Sequence, residues 1–70
     1  MNEYPEFLVR MIDEESELNC KIKKLECALE KFKHGIIQLK SPNLLEAQLS
    51  AMKAYEYILN IRIKEFTTED

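Results

Sequence analysis

Seventy residues allow one small domain, and with 46% of them apolar and 33% charged the chain is too hydrophobic for disorder and suits a helical bundle or coiled coil. Ten basic against thirteen acidic side chains leave a formal net charge of −3, which argues against DNA or RNA as a partner, because phosphate backbones demand a basic surface. A lone core of this size typically supplies only ~3–5 kcal/mol, so partner subunits or a staple are expected to add to it.

Along the chain, Pro5 suits the first turn of a helix, where its missing N–H is not needed, and no further breaker interrupts the run to Lys33. The first predicted helix therefore covers about 5–33. Within it, Cys20 and Cys27 stand seven residues apart, about 10.5 Å along one helix, beyond the roughly 7 Å that a disulfide tolerates. They are expected as small apolar packing groups, with an intermolecular bridge the lesser alternative. His34 and Gly35 read as the helix end and its cap, the imidazole facing the last carbonyls. Segment 34–40 is an apolar loop carrying Ile36, Ile37 and Leu39, expected to fold back over the open end of the core. Ser41 as N-cap and Pro42 at the first helical position open a second helix over about 42–66, followed by a polar tail, 67–70, expected to fray. Residues 1–70 thus form a single helical hairpin domain.

Leu8, Met11, Leu18, Ile22, Leu25, Leu29 and Phe32 alternate at four and three, the seam of a heptad, with Glu15 as its break. Leu45, Leu49, Met52, Leu59, Ile63 and Phe66 repeat the pattern, broken at Glu56. Two such helices with a short connection pack antiparallel, giving an all-α, antiparallel two-helix hairpin. A second apolar set lies off the seams: Val9, Ile12, Cys20 and Cys27, then Leu44, Ala47, Ala51, Ala54, Tyr55, Ile58 and Ile61. One hairpin cannot bury both sets. Self-association into an oligomeric helical bundle, a homo-oligomer of two or four chains, is the expectation. No apolar run approaches the roughly 18 residues of a membrane span, and no signal peptide or cysteine framework is legible, so no membrane partner and a reducing intracellular setting are expected.

Nothing in the chain reads as catalytic. One histidine, no Glu-x-x-His pair and a single glycine leave no nucleophile triad, no bundle di-metal site and no phosphate loop, so no enzyme, metal or cofactor is expected. The acidic run Asp13, Glu14, Glu15 and Glu17 reads as a solvated face, with Glu17 pairing Lys21 one turn on. More informative is Gln48, Tyr55 and Arg62, spaced by seven along one edge of the second helix beside the seam. Antiparallel packing sets Arg62 at the level of Asp13 to Glu15, and Arg10 near Glu65 and Phe66. Arg10, Glu14, Tyr55 and Arg62 then gather on one flank. A register-setting Arg–Glu network is one reading. The other is a ligand pocket at a subunit interface, where arginines grip phosphates, an aromatic ring stacks on a base, and Glu or Gln reads polar edges.

Arg10-Met11, Glu14, Glu17-Leu18, Lys21-Ile22, Lys24-Leu25 and Phe32, followed by Leu44-Leu45, Gln48-Leu49, Met52, Tyr55, Ile58-Leu59 and Arg62-Ile63, resemble a group of small bacteriophage proteins related to a gene product of crAss-like phages. The likeness spans nearly the whole chain; the loop 34–40 departs from it in being more apolar. It extends to the anti-CBASS sponges of phages, small helical oligomers that sequester the cyclic oligonucleotide signals of bacterial immunity, alongside phage inhibitors that capture ADP-ribose-type signals. The resemblance implies a non-enzymatic sponge in the host cytoplasm for a cyclic dinucleotide such as 3′3′-cGAMP. On that reading Arg10 and Arg62 meet phosphate, Tyr55 and Tyr4 stack on bases, and Glu14 and Gln48 read edges or orient the arginines. The alternative is a small helical adaptor or inhibitor that binds a host protein through its apolar face.

Overall fold

A computed structural model describes residues 4–67, and over them the chain is two long helices, α1 (Glu6–Lys33) and α2 (Pro42–Thr67), of 28 and 26 residues. The expected ends of the helices hold to within a residue, except that Thr67, assigned to the fraying tail, closes the last turn of α2 with its hydroxyl donating to the Ile63 carbonyl at 3.0 Å. The rest of that tail, 68–70, lies outside the described residues. Pro5 stands one place before α1, and its carbonyl accepts from the Leu8 and Val9 N–H groups at 3.0 and 3.1 Å.

α1 ends in a Schellman motif: Ile36 N–H reaches the Lys31 carbonyl at 2.8 Å and Gly35 N–H the Phe32 carbonyl at 3.0 Å, with Gly35 at φ +72°. Only a residue without Cβ takes that conformation freely. The motif turns Ile36 outward, leaving it 67% exposed, so the apolar loop does not fold as a whole over the core; Ile37 and Leu39 are half-buried instead. Ser41 precedes α2 with its carbonyl accepting from Leu44 and Leu45. It departs from the expected cap in one respect. Its φ of +56° is left-handed, and the backbone carbonyl rather than its hydroxyl serves the helix start.

The helices run antiparallel, the start of α1 meeting the end of α2 where Phe7 and Phe66 pack edge to face at 4.9 Å. Both heptad seams face inward. Every apolar seam position is buried or half-buried apart from Phe66, which is 53% exposed. Leu8, Met11 and Leu59 form the tightest cluster, with Leu18 and Ile63 against it, and Ile22 and Leu29 carry the seam toward the loop. The result is a rod of 51 × 18 × 17 Å.

The second apolar set lies open, as a single hairpin demands. Val9, Ile12, Leu44, Tyr55, Ile58 and Ile61 are 37 to 70% exposed, and Ala47, Ala51 and Ala54 are exposed with them. Cys20 and Cys27 are exposed free thiols rather than packing groups, because they fall on the outer, charged side of α1. No helix among the described residues is long and apolar enough to cross a membrane.

Candidate functional site

The two seam breaks meet. Glu15 and Glu56 interrupt their heptads at the same level of the hairpin, where Asn19 Nδ2 donates to Glu56 Oε2 at 2.7 Å. Burial first, then the hydrogen bond and charge of Glu56, raise the Glu15 carboxyl above its ordinary value. Sequence reasoning marked each glutamate as a fault in its own helix. The signal that joins them is their common level once the helices are set antiparallel.

One step sideways, the flank carrying Gln48, Tyr55 and Arg62 meets the flank of α1 carrying Phe7 and Glu14. The Tyr55 hydroxyl donates to Glu14 Oε2 across the helix pair. That bond is the main reason the phenol ionises above its usual range; burial and the Glu14 charge add to it, and the nearby Arg62 guanidinium opposes it. Glu14, Tyr55 and Arg62 are thus gathered on one flank, and Tyr55 remains 41% exposed. Gln48 lies on the same edge nearer the loop, exposed, with Nε2 3.7 Å from the Met52 sulfur.

Arg10 is placed differently from the expectation. It pairs with Glu6 one turn back at 3.2 Å, both side chains largely in solvent, and Phe7 rather than Arg10 meets Phe66. The reason is local: a Glu four residues before an Arg is a ready helical partner. Tyr4 precedes α1, 55% exposed, with no hydrogen bond or ring contact to the others among the described residues. Glu17 and Lys21 are not an ion pair; the cross-helix bridge is Lys53 to Glu26 at 2.7 Å, on the opposite flank from Tyr55. His34 turns back to Glu30, Nε2 to Oε2 3.0 Å.

That opposite flank holds an open cleft of about 450 Å³ near the loop, with Glu26, Glu30 and Glu46 against a single Lys33. Three carboxylates make it a poor host for an anion. The Tyr55 flank is less acidic: a guanidinium, a phenol and an amide share an exposed strip with one carboxylate, Glu14, which accepts from the phenol, and the open apolar face of α2 borders it on the outer side. Among the described residues Arg62 makes no ion pair, so its donors are available to an incoming group. No set of three His, Cys, Asp or Glu side chains converges among the described residues as a metal site would require.

Comparison with known proteins bears on the helical part of the chain almost entirely. A family model described as Sequestin matches residues 5–65, from the residue that caps α1 to the last turn of α2. No curated protein and no solved structure matches.

Proposed function

Since the chain belongs to the Sequestin family, a name that points to sequestration, we propose that it binds and holds a small phosphate-bearing nucleotide signal without converting it. The observation that carries this reading is the Tyr55 flank: an arginine in no ion pair among the described residues beside a half-exposed aromatic ring, whose hydroxyl is already oriented by Glu14. A guanidinium suits a phosphate by paired hydrogen bonds, and a tyrosine face suits a base. Both fit a ligand with few charges, which a chain of net charge −3 can hold at a single guanidinium but not along a polymer.

Two signal classes share that chemistry, the cyclic oligonucleotides, 3′3′-cGAMP among them, and ADP-ribose derivatives. Capture of either fits a phage protein that blunts nucleotide-signalled defence, CBASS in the cyclic dinucleotide case, within the host cytoplasm. The open apolar face adjoining the flank supports assembly into a homo-oligomer, with the ligand at a subunit interface.

A thermal-shift and calorimetric screen against cyclic di- and trinucleotides and ADP-ribose derivatives tests the proposal, because a ligand at one hundred times its Kd stabilises by about 2.7 kcal/mol. The bound nucleotide is expected back intact after denaturation; a converted product would mean an enzyme. Arg62→Ala should weaken binding roughly 10- to 100-fold, the worth of one charge-assisted pair, with sedimentation unchanged. If Arg62→Ala instead dissolves the assembly, the arginine sets register. A second reading, an adaptor docking on a host protein, is favoured by the exposed Leu44, Ile58 and Ile61. It predicts no response to any nucleotide in the screen.

A further inference from the structure

Helix α2 carries two seams. The inner one faces α1. The outer one runs Leu44, Ala47, Ala51, Ala54, Ile58, Ile61, again alternating three and four, and every member is exposed. The corresponding outer positions of α1 are Arg10, Asp13, Glu17, Lys24 and Lys31 interspersed with Cys20 and Cys27, a face suited to water. We propose that α2 pairs antiparallel with α2 of a second copy about a two-fold axis midway between Ala51 and Ala54, and that Gln48 of the second copy completes the Tyr55–Arg62 site.

The pattern is self-complementary about that axis. Reversal sets Leu44 against Ile61 of the second copy, Ala47 against Ile58, and Ala51 against Ala54. Small residues at the centre let the two backbones approach, and the medium and large pairs fill the widening gap on either side. A parallel pairing in register does the reverse. It stacks three alanine layers on themselves between bulky ends, leaving voids, and sets Glu65 against Glu65. Antiparallel helix dipoles also oppose, as they do between α1 and α2.

The same register fixes what the partner brings. Tyr55 and Arg62 are separated by seven residues, about 10.5 Å along α2. Gln48 of the second copy projects from the adjoining edge at a level between them. Each dimer therefore has two equivalent sites, each made of Glu14, Tyr55 and Arg62 from one chain and Gln48 from the other. The ligand-binding role of these residues rests on the function proposed above; the pairing does not.

Two experiments separate the claims. In a Cys20→Ser, Cys27→Ser background, differently tagged Ala47→Cys and Ile58→Cys chains are co-expressed and oxidised. The proposed register brings the two thiols of a mixed dimer together, whereas either variant alone keeps its thiols roughly 16 Å apart, beyond disulfide reach. Mixed cross-links without homodimeric ones are expected. Homodimeric cross-links, or none with the unsubstituted chain sedimenting as a monomer at micromolar concentration, overturn the pairing. For the site, Gln48→Ala and Arg62→Ala are each titrated alone with the nucleotide selected by the screen, then as co-expressed mixed dimers. Each alone should bind at least tenfold more weakly; the mixed dimer should recover one site in two at the unsubstituted affinity. Uniformly weak binding would mean that Gln48 acts within its own chain. Should no nucleotide bind the unsubstituted protein, the sequestering function fails while the cross-link still decides the pairing.

Discussion

Leu59 is fully buried and touches the start of α1 at Leu8 and Met11, so the tightest packing in the molecule lies at the end remote from the loop. Leu59→Ala should cost about 2–5 kcal/mol, comparable with the whole stability of a core this small, and circular dichroism should report a chain largely unfolded. Glu15 carries the pH dependence. Because its carboxyl is raised in the fold, the folded chain holds that proton more tightly than the unfolded one. Glu15's contribution is therefore present at pH below its ordinary value and is lost as pH rises through the raised one. Glu15→Gln should remove this gain on acidification and stabilise at pH 7 by about 0.5 kcal/mol, a modest figure because the pair is partly screened by water; denaturant midpoints at pH 7 and 5 measure both. At this scale the sequence is legible where a residue's spacing decides its place. Gln48, Tyr55 and Arg62 do share an edge, and Glu14 does meet Tyr55. It was misleading where a nearer partner competes, as Glu6 does for Arg10, or where residue type stands in for position, as with the two exposed cysteines.

Between residues and the whole hairpin, the turn elements carry the clearest expectations. Gly35 has no heavy atom within 4 Å of where a Cβ would stand, so Gly35→Ala meets no clash and is expected to cost only the left-handed backbone penalty, about 1 kcal/mol. Ser41→Gly should do the opposite, gaining a few tenths of a kcal/mol to about 1 kcal/mol by relieving the strain at φ +56°. Urea midpoints of the two variants should therefore move in opposite directions. Proline and glycine made the start of each helix and the end of α1 readable, since each acts through its own backbone geometry. The loop between them was less so. Apolar content alone suggested a lid, yet a Schellman motif fixes the exit direction by hydrogen bonds, and those leave Ile36 in solvent whatever its hydropathy.

For the whole molecule, the balance of inner and outer seams matters more than any one contact. Few side chains are fully buried, while a complete heptad stripe on α2 is exposed. The hairpin was legible because both inner seams keep strict register over six or seven positions, and the surplus stripe could be counted without knowing its partner. Its exact pairing could not be read from periodicity alone, which names a face and not what covers it. If copies cover it, stability becomes concentration-dependent: a hundredfold dilution should lower the melting temperature by several degrees, whereas a self-sufficient hairpin would melt at the same point throughout.

The thin, elongated core also sets the shape of the transition. Heat capacity change and denaturant slope both scale with the surface exposed on unfolding, and a two-helix rod has little to expose. An isolated chain should lose its helicity over a broad span of temperature, with a small calorimetric enthalpy and amides near the helix ends exchanging quickly. Each neighbouring copy or captured ligand steepens that curve, so the width of the melt, even without its midpoint, reads how many partners the rod has found.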